Sequence, residues 1–271
     1  MQKTVVRLIK LEFLKLRHNR ALWVLLALYL LCVIAISLSG GIILKIMAGM
    51  GISYRGIDPT VIPIYDFDDI WQNLAYLGYF FKIFPAFLLI ISITNEYSFK
   101  THRQNIIDGL SRREFFLSKL SFAAFLAILS AGLLLVLGLV LGFSHSSVTS
   151  WEAMSSKLYF IPVHAFQILL FFLFAMFLAL LIRRSGVTVV LLLMYAWFLE
   201  PITAGILGYY VPGADDFFPL EAISSLVHFP FSKYIFMYTQ DFVSFADLAK
   251  ALGWCGVLLY GIYYQLAKRD F

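Results

Sequence analysis

Cysteine is almost missing from this 271-residue chain: Cys32 and Cys255 are the only two, and both fall inside apolar runs. That excludes a secreted disulfide framework and a cysteine-ligated metal site, and it gives redox chemistry no support. Charge is scarce too. Charged residues make up 14% of the chain against 61% hydrophobic, which leaves no room for a sizeable soluble domain beside the apolar runs. No Gly-Lys dipeptide occurs, so the phosphate-cradling G-x-x-x-x-G-K-[ST] loop is absent and the chain is not expected to hydrolyse ATP by itself. There is no H-E-x-x-H, His164 has no Ser or Cys nucleophile in a recognisable motif, and acids within the runs are too few for a carboxylate dyad. Those absences count against an intramembrane enzyme and leave no catalytic residue to name. A secondary transporter would normally show two repeated halves or broken spans near the midplane, and no internal repeat is visible. The acidic stretch Asp66-Phe67-Asp68-Asp69 lacks the turn glycine and distal Glu of a calcium loop, so it reads as solvated surface and no metal site is expected.

What is present is a six-fold pattern of long apolar runs: Ala21 to Gly40, Tyr76 to Thr94, Ser121 to Phe143, Leu158 to Ile182, Val187 to Tyr210 and Ala246 to Leu266. Each approaches or exceeds the roughly 20 residues that a helix needs to cross a bilayer. The expected fold is a single all-α integral membrane domain over 1–271 with six transmembrane helices. Basic residues gather before the first run, between the second and third, between the fourth and fifth, and after the sixth, accounting for fifteen of the 21 Lys and Arg. The positive-inside rule therefore places those segments and both termini in the cytoplasm of a multi-pass cell-membrane protein. The net charge of +5 is confined to membrane-flanking segments, where anionic lipid explains it better than nucleic acid. The first run is too long for a signal-peptide core and lacks a convincing small-residue cleavage site, so it is expected to be retained.

Two basic segments have helical character. Within 1–20, Val5, Ile9, Phe13 and Leu16 share one face while Lys3, Arg7, Lys10 and Arg17 occupy another, which predicts an amphipathic helix in the headgroup plane. Glu12 sits near its apolar face, where a lone carboxylate is costly, so a basic partner is expected. In the segment 95–119, Phe99, Arg103, Ile106, Ile107 and Leu110 fall on one stripe and Gly109 suits a helix end. Ser111-Arg112-Arg113-Glu114 then reads as a capping box that starts a new helix running through Phe115 and Phe116 into the third run.

Polar residues inside the runs mark a candidate pathway. Lys82, His164 and Glu200 all fall roughly 9 Å below the acidic-side boundary at 1.5 Å per residue. Two readings stay open: Lys82 and Glu200 pair across an outward-opening cavity with His164 and Gln167 nearby, or each snorkels separately to the interface. His164 also fits a plain hydrogen-bonded histidine. Pro85 and Pro201 predict bends at that level. The 211–245 connection has Phe217-Phe218-Pro219 and Phe229-Pro230-Phe231, pieces too short to cross, which predict re-entrant or interfacial helices forming a lid, or else an aromatic belt. Gly138 and Gly142 have the spacing for close helix approach.

With Glu96 closing the second run, Lys100-Thr101 after it, Leu110-Ser111-Arg112 leading into Phe115-Phe116 and Lys119, and a closing Lys268-Arg269-Asp270, the chain resembles the permease subunits of type-2 ABC exporters. The resemblance implies an N-terminal interfacial helix, a coupling helix between spans two and three, and short external helices after span five. It also implies two ABC ATPase subunits as partners, a second permease copy or paralogue, and surrounding membrane lipids. ATP and Mg would be bound by the ATPases, with no cofactor held by this chain. On that reading Phe99, Ile106, Ile107 and Leu110 dock on the ATPase, Arg103 and Arg112 pair with its acids, and Glu96 opens the coupling segment.

Overall fold

The structure, a computed structural model, describes residues 12–15, 17, 19–51, 58–99, 112–235 and 238–268. Among them it is all-helical, with no strand. Six segments are long and apolar enough to cross a membrane: Arg20–Gly49, Phe67–Ser98, Arg113–His145, Trp151–Ile182, Ser185–Tyr210 and Phe245–Leu266. Span 1 is α1 (Arg20–Gly49). Span 2 joins α2 (Phe67–Tyr79) and α3 (Ile83–Ser98), and span 3 is α4 (Arg112–His145). Span 4 joins α5 (Trp151–Ser156) to α6 (Phe160–Ile182), and span 5 joins α7 (Ser185–Met194) to α8 (Glu200–Tyr210). The short α9 (Pro219–Ser224) lies in the following connection, and α10 (Phe245–Lys268) is span 6.

All six predicted runs are spans, and the second starts a good deal earlier than its apolar run. The first turns of α2 contain Gln72 and Asn73, which are buried and donate to protein rather than facing lipid. Gln72 reaches the carbonyl of Gln240 at 3.0 Å, and Asn73 reaches that of Ile64 at 2.8 Å and the Tyr234 hydroxyl at 2.9 Å. The amide nitrogens find protein acceptors, while the two amide oxygens are buried with no hydrogen-bond partner among the described residues, and hydropathy alone misses this part of the helix.

Both prolines coincide with departures from α geometry. Pro85 has no amide for the carbonyl of Phe81, and a 3₁₀ turn occupies Phe80–Lys82. Pro201 similarly has none for the carbonyl of Trp197, which lies in a π-helical turn over Tyr195–Leu199.

Span 4 is the centre of the bundle: 61% of its most apolar stretch is buried, against 17% for span 5 and 22% for spans 1 and 6. The outer spans consequently turn apolar side chains such as Leu31, Ile46, Trp197 and Ile202 outward, as lipid-facing helices do. One core gathers Leu89, Ile93, Phe122, Phe171, Phe172 and Ile262. A second gathers Phe67, Trp71, Leu134 and Phe160. Gly138 and Gly142 seat this second core, because a Cβ on the first would collide with the Trp71 ring and one on the second with the Phe67 ring. Their spacing thus marks a groove for aromatic side chains of span 2.

Spans 4 and 5 are joined by Arg183 and Arg184 alone. Arg183 closes α6 in the left-handed conformation, φ 60°, with its amide donating to Ala179 at 2.9 Å. A side chain larger than glycine adopts that geometry at a cost of roughly 1–2 kcal/mol, here set against a turn too short for any other exit.

Candidate functional site

At the basic end of the bundle, three elements converge on the ammonium of Lys119. Its Nζ donates to Glu12 Oε2 at 2.7 Å, Glu96 Oε1 at 2.7 Å and Ser92 Oγ at 2.8 Å, and the residue is only 1% exposed. Ser118 donates to Glu12 Oε1 at 2.8 Å, and Ser92 donates to Glu12 Oε2 at 3.1 Å. Lys15, one helical turn after Glu12, bonds Glu96 Oε1 at 3.1 Å from the exposed side. Among the described residues each oxygen of Glu12 has a donor. That is the condition under which buried ions are tolerated at all.

The hub follows from helical register. Lys119 shares the buried face of α4 with Phe115, Phe122 and Leu126, while Glu96 continues the buried face of α3 after Leu89 and Ile93. The described residues 12–15 are helical, which brings Glu12 inward and leaves Lys15 at the rim. Burial by itself would raise the Glu12 carboxyl. The charges of Lys119 and Lys15 and the bonds from Lys119 and Ser118 outweigh it and hold the group below its ordinary 4.5. The basic partner expected for Glu12 is therefore Lys119. Beside the hub, the Arg183 guanidinium lies 4.7 Å over the Tyr97 ring, joining the span 4–5 turn to the same end of span 2.

Of the residues expected to face a partner, Phe99 does point outward, at 74% exposure. Glu96, expected to open the coupling segment, is 6% exposed and turned into the hub. Arg103, Ile106, Ile107 and Leu110, with Gly109, Ser111 and the side chain of Arg112, lie outside the described residues, as does most of the 1–20 helix. The hub holds both roots of that undescribed stretch.

At the acidic end His164 joins a separate chain of bonds, while the charge of Glu200 acts on Lys82 without a close pair between them. Among the described residues Lys82 and Glu200 form no ion pair. The Lys82 ammonium sits 3.3 Å from the centre of the Tyr79 ring and 4.6 Å from that of Phe171. Glu200, 2% exposed, accepts from the amide of Glu221 at 2.7 Å through Oε1, with the Tyr195 hydroxyl and the Leu220 amide also directed at the carboxylate and no partner within hydrogen-bond distance of Oε2 among the described residues. The reason is geometric: α9 presents the Glu221 amide to the carboxylate, and the Lys82 side chain is taken up by aromatic faces. His164 is fully buried in a different chain of bonds, with Nδ1 3.2 Å from the Ala75 carbonyl and Nε2 2.9 Å from Ser130 Oγ. Ser130 is 2.5 Å from the Tyr29 hydroxyl. A carbonyl only accepts, so Nδ1 carries the proton, and the chain pins spans 1, 2, 3 and 4 together. His164 is the hydrogen-bonded histidine that the sequence allowed.

The 211–245 connection packs on this end. Leu220, Ala222, Ile223, Leu226 and Val227 are buried, and Gln167 donates to the carbonyl of Ile223 at 3.0 Å. Burial, with Asp216 and Asp215 nearby, pushes the Glu221 carboxyl up. The acidic stretch of span 2 is not bare surface either. Asp66 accepts from the amide and hydroxyl of Ser147 at 3.1 and 3.0 Å, Asp68 accepts from Ser156 at 3.0 Å, and Asp69 pairs with Lys233 and lies 3.7 Å from Lys157. A cluster without calcium-loop spacing still finds donors, since Ser147, Ser156, Lys157 and Lys233 surround it.

A family model described as ABC-2 family transporter protein matches residues 8–199, more than two thirds of the chain. The matched stretch contains every member of the hub. No curated protein matches the chain.

Proposed function

This chain belongs to the ABC-2 family of transporter proteins, and from that premise we propose that it is the permease of an ATP-driven export complex. Two copies, or one copy and a paralogue, associate in the cell membrane with two cytoplasmic ABC ATPases that hold ATP and Mg. The basic end faces the cytoplasm, as its Lys and Arg require by the positive-inside rule. Phe99, Ile106, Ile107 and Leu110 dock on an ATPase, with Arg103 and Arg112 pairing to its acids.

The observation that supports this reading is the position of Lys119. Spans 2 and 3 and the N-terminal helix share one buried ammonium, so a displacement applied between residues 99 and 112 reaches all three together. Glu96 is then a positioning residue of the coupling element rather than a contact with the ATPase. The movement ends at the acidic end, where Lys82, Glu200 and the 211–245 lid border the pathway. There it extrudes a substrate or performs mechanical work.

Copurification from mild detergent tests the assignment. The expected partner carries the phosphate loop that this chain lacks, and Ile106→Asp with Ile107→Asp releases it. Unchanged ATPase recovery with that double variant contradicts the docking surface.

A further inference from the structure

Tyr65 divides two cavities on the acidic half of span 1. One, of about 530 Å³, is rimmed by Lys45, Thr60, Asp66, His145 and Ser147. The other, of about 350 Å³, is walled by Ile36, Ile43, Ile70, Leu74 and Leu77. Leu44, Ile62, Ile64 and Tyr65 line both. Each volume falls in the roughly 300–1,000 Å³ range of small-ligand sites.

The divider is built into the sequence. Gly40 and Gly41 let the 59–66 connection lie against span 1, since a Cβ on Gly40 would meet Ile64 at 2.6 Å and one on Gly41 would meet the Tyr65 ring at 3.1 Å. The Tyr65 hydroxyl donates to the Ser37 carbonyl at 2.7 Å and accepts from the Gly41 amide at 2.9 Å, standing between the two groups that pair within a regular helical turn. Tyr65 is therefore fixed, and the two cavities meet across it.

Their chemistry differs in a way that describes one molecule. Among the polar groups of the larger cavity, Asp66 is engaged by Ser147 and Thr60 by Asp58 at 2.7 Å. Lys45 is the only Lys or Arg in the lining and forms no ion pair among the described residues. It lies four residues, about 6 Å, from the end of α1, which is headgroup depth for a helix that crosses the membrane. The smaller cavity is almost wholly apolar and is lined in part by Ile43, which is 51% exposed. A free anion has no use for the apolar cleft, and a hydrocarbon has none for a lysine.

We propose that the two cavities are one site for an anionic glycerophospholipid of the adjoining leaflet. The phosphate sits against Lys45 beside His145, and one acyl chain lies in the cleft between spans 1 and 2. Charge complementarity selects the headgroup, and burial of hydrocarbon against isoleucine and leucine holds the chain. The inference is independent of the transport reading and of which leaflet the acidic end faces.

Native mass spectrometry of the full-length protein in mild detergent, titrated with phosphatidylglycerol, tests it. The expected result is one saturable lipid whose binding weakens roughly tenfold in Lys45→Gln, the loss of one charge-assisted contact. Ile43→Trp, which fills the cleft from its exposed rim, is expected to lose that lipid while keeping its elution volume. Equal lipid binding by wild type and Lys45→Gln overturns the proposal. So does complete competition by inorganic phosphate, or binding that Ile43→Trp leaves unchanged.

Discussion

Glu96 and Lys119 stand 23 positions apart in sequence and meet at 2.7 Å, tying the end of span 2 to the start of span 3. Lys119→Met removes the buried ammonium shared by Glu12 and Glu96, and is expected to destabilise the protein by roughly 3–5 kcal/mol, the usual result of deleting one side of a buried pair. Thermal unfolding in detergent, followed by size exclusion, measures it. The triple variant Glu12→Gln, Glu96→Gln, Lys119→Met is expected to recover much of the loss, because no buried charge remains to be desolvated.

Acid separates the hub from ordinary packing. The Glu12 carboxyl is held below 4.5, so the stability it contributes is fully present above that value and disappears as pH falls through the lower folded value. Unfolding temperature is expected to be steady from neutral pH down to about 4.5 and to drop below it. Glu12→Gln should lie lower at neutral pH and show a shallower acid drop. An acid profile identical to wild type contradicts the assignment of Glu12 as the hub's buried anion.

Gly138 and Gly142 make a packing test that involves no charge. Gly138→Ala places a methyl group against the Trp71 ring, with an expected cost of about 1–3 kcal/mol for overpacking. Trp71→Leu in the same chain should reduce that cost, since contacting residues are non-additive. Additive losses in melting temperature would show that the glycine does not seat the indole.

Glu200→Gln keeps an acceptor for the Glu221 amide, so folding is expected to stay close to wild type. Transport is expected to fall, because the unpartnered Oε2 loses its charge. A folded variant with wild-type transport removes Glu200 from the pathway.

Much of this architecture was legible in the sequence because crossing helices need long apolar runs, and Pro85 and Pro201 announce irregular turns. The early start of span 2 was not, since Gln72 and Asn73 look unfit for a membrane until their protein acceptors are seen. The hub was half legible. Glu12 on an apolar face required a cation, but Lys119 looked like one more positive-inside residue; its register with Phe115, Phe122 and Leu126 was the available signal. The missing Lys82–Glu200 pair shows the limit of depth arguments. Two residues at one level of the membrane need not face each other, and the Tyr79 ring and the Glu221 amide took their places as neighbours.

The most direct test concerns which side of the membrane the coupling element faces. Phe99→Cys, in a chain with Cys32 and Cys255 replaced by serine, puts a thiol at a side chain that is 74% exposed at the root of that element. A membrane-impermeant maleimide is expected to label it in inside-out vesicles and to leave it unmodified in intact cells. Labelling from outside intact cells would contradict the orientation, and with it the coupling of this chain to a cytoplasmic ATPase.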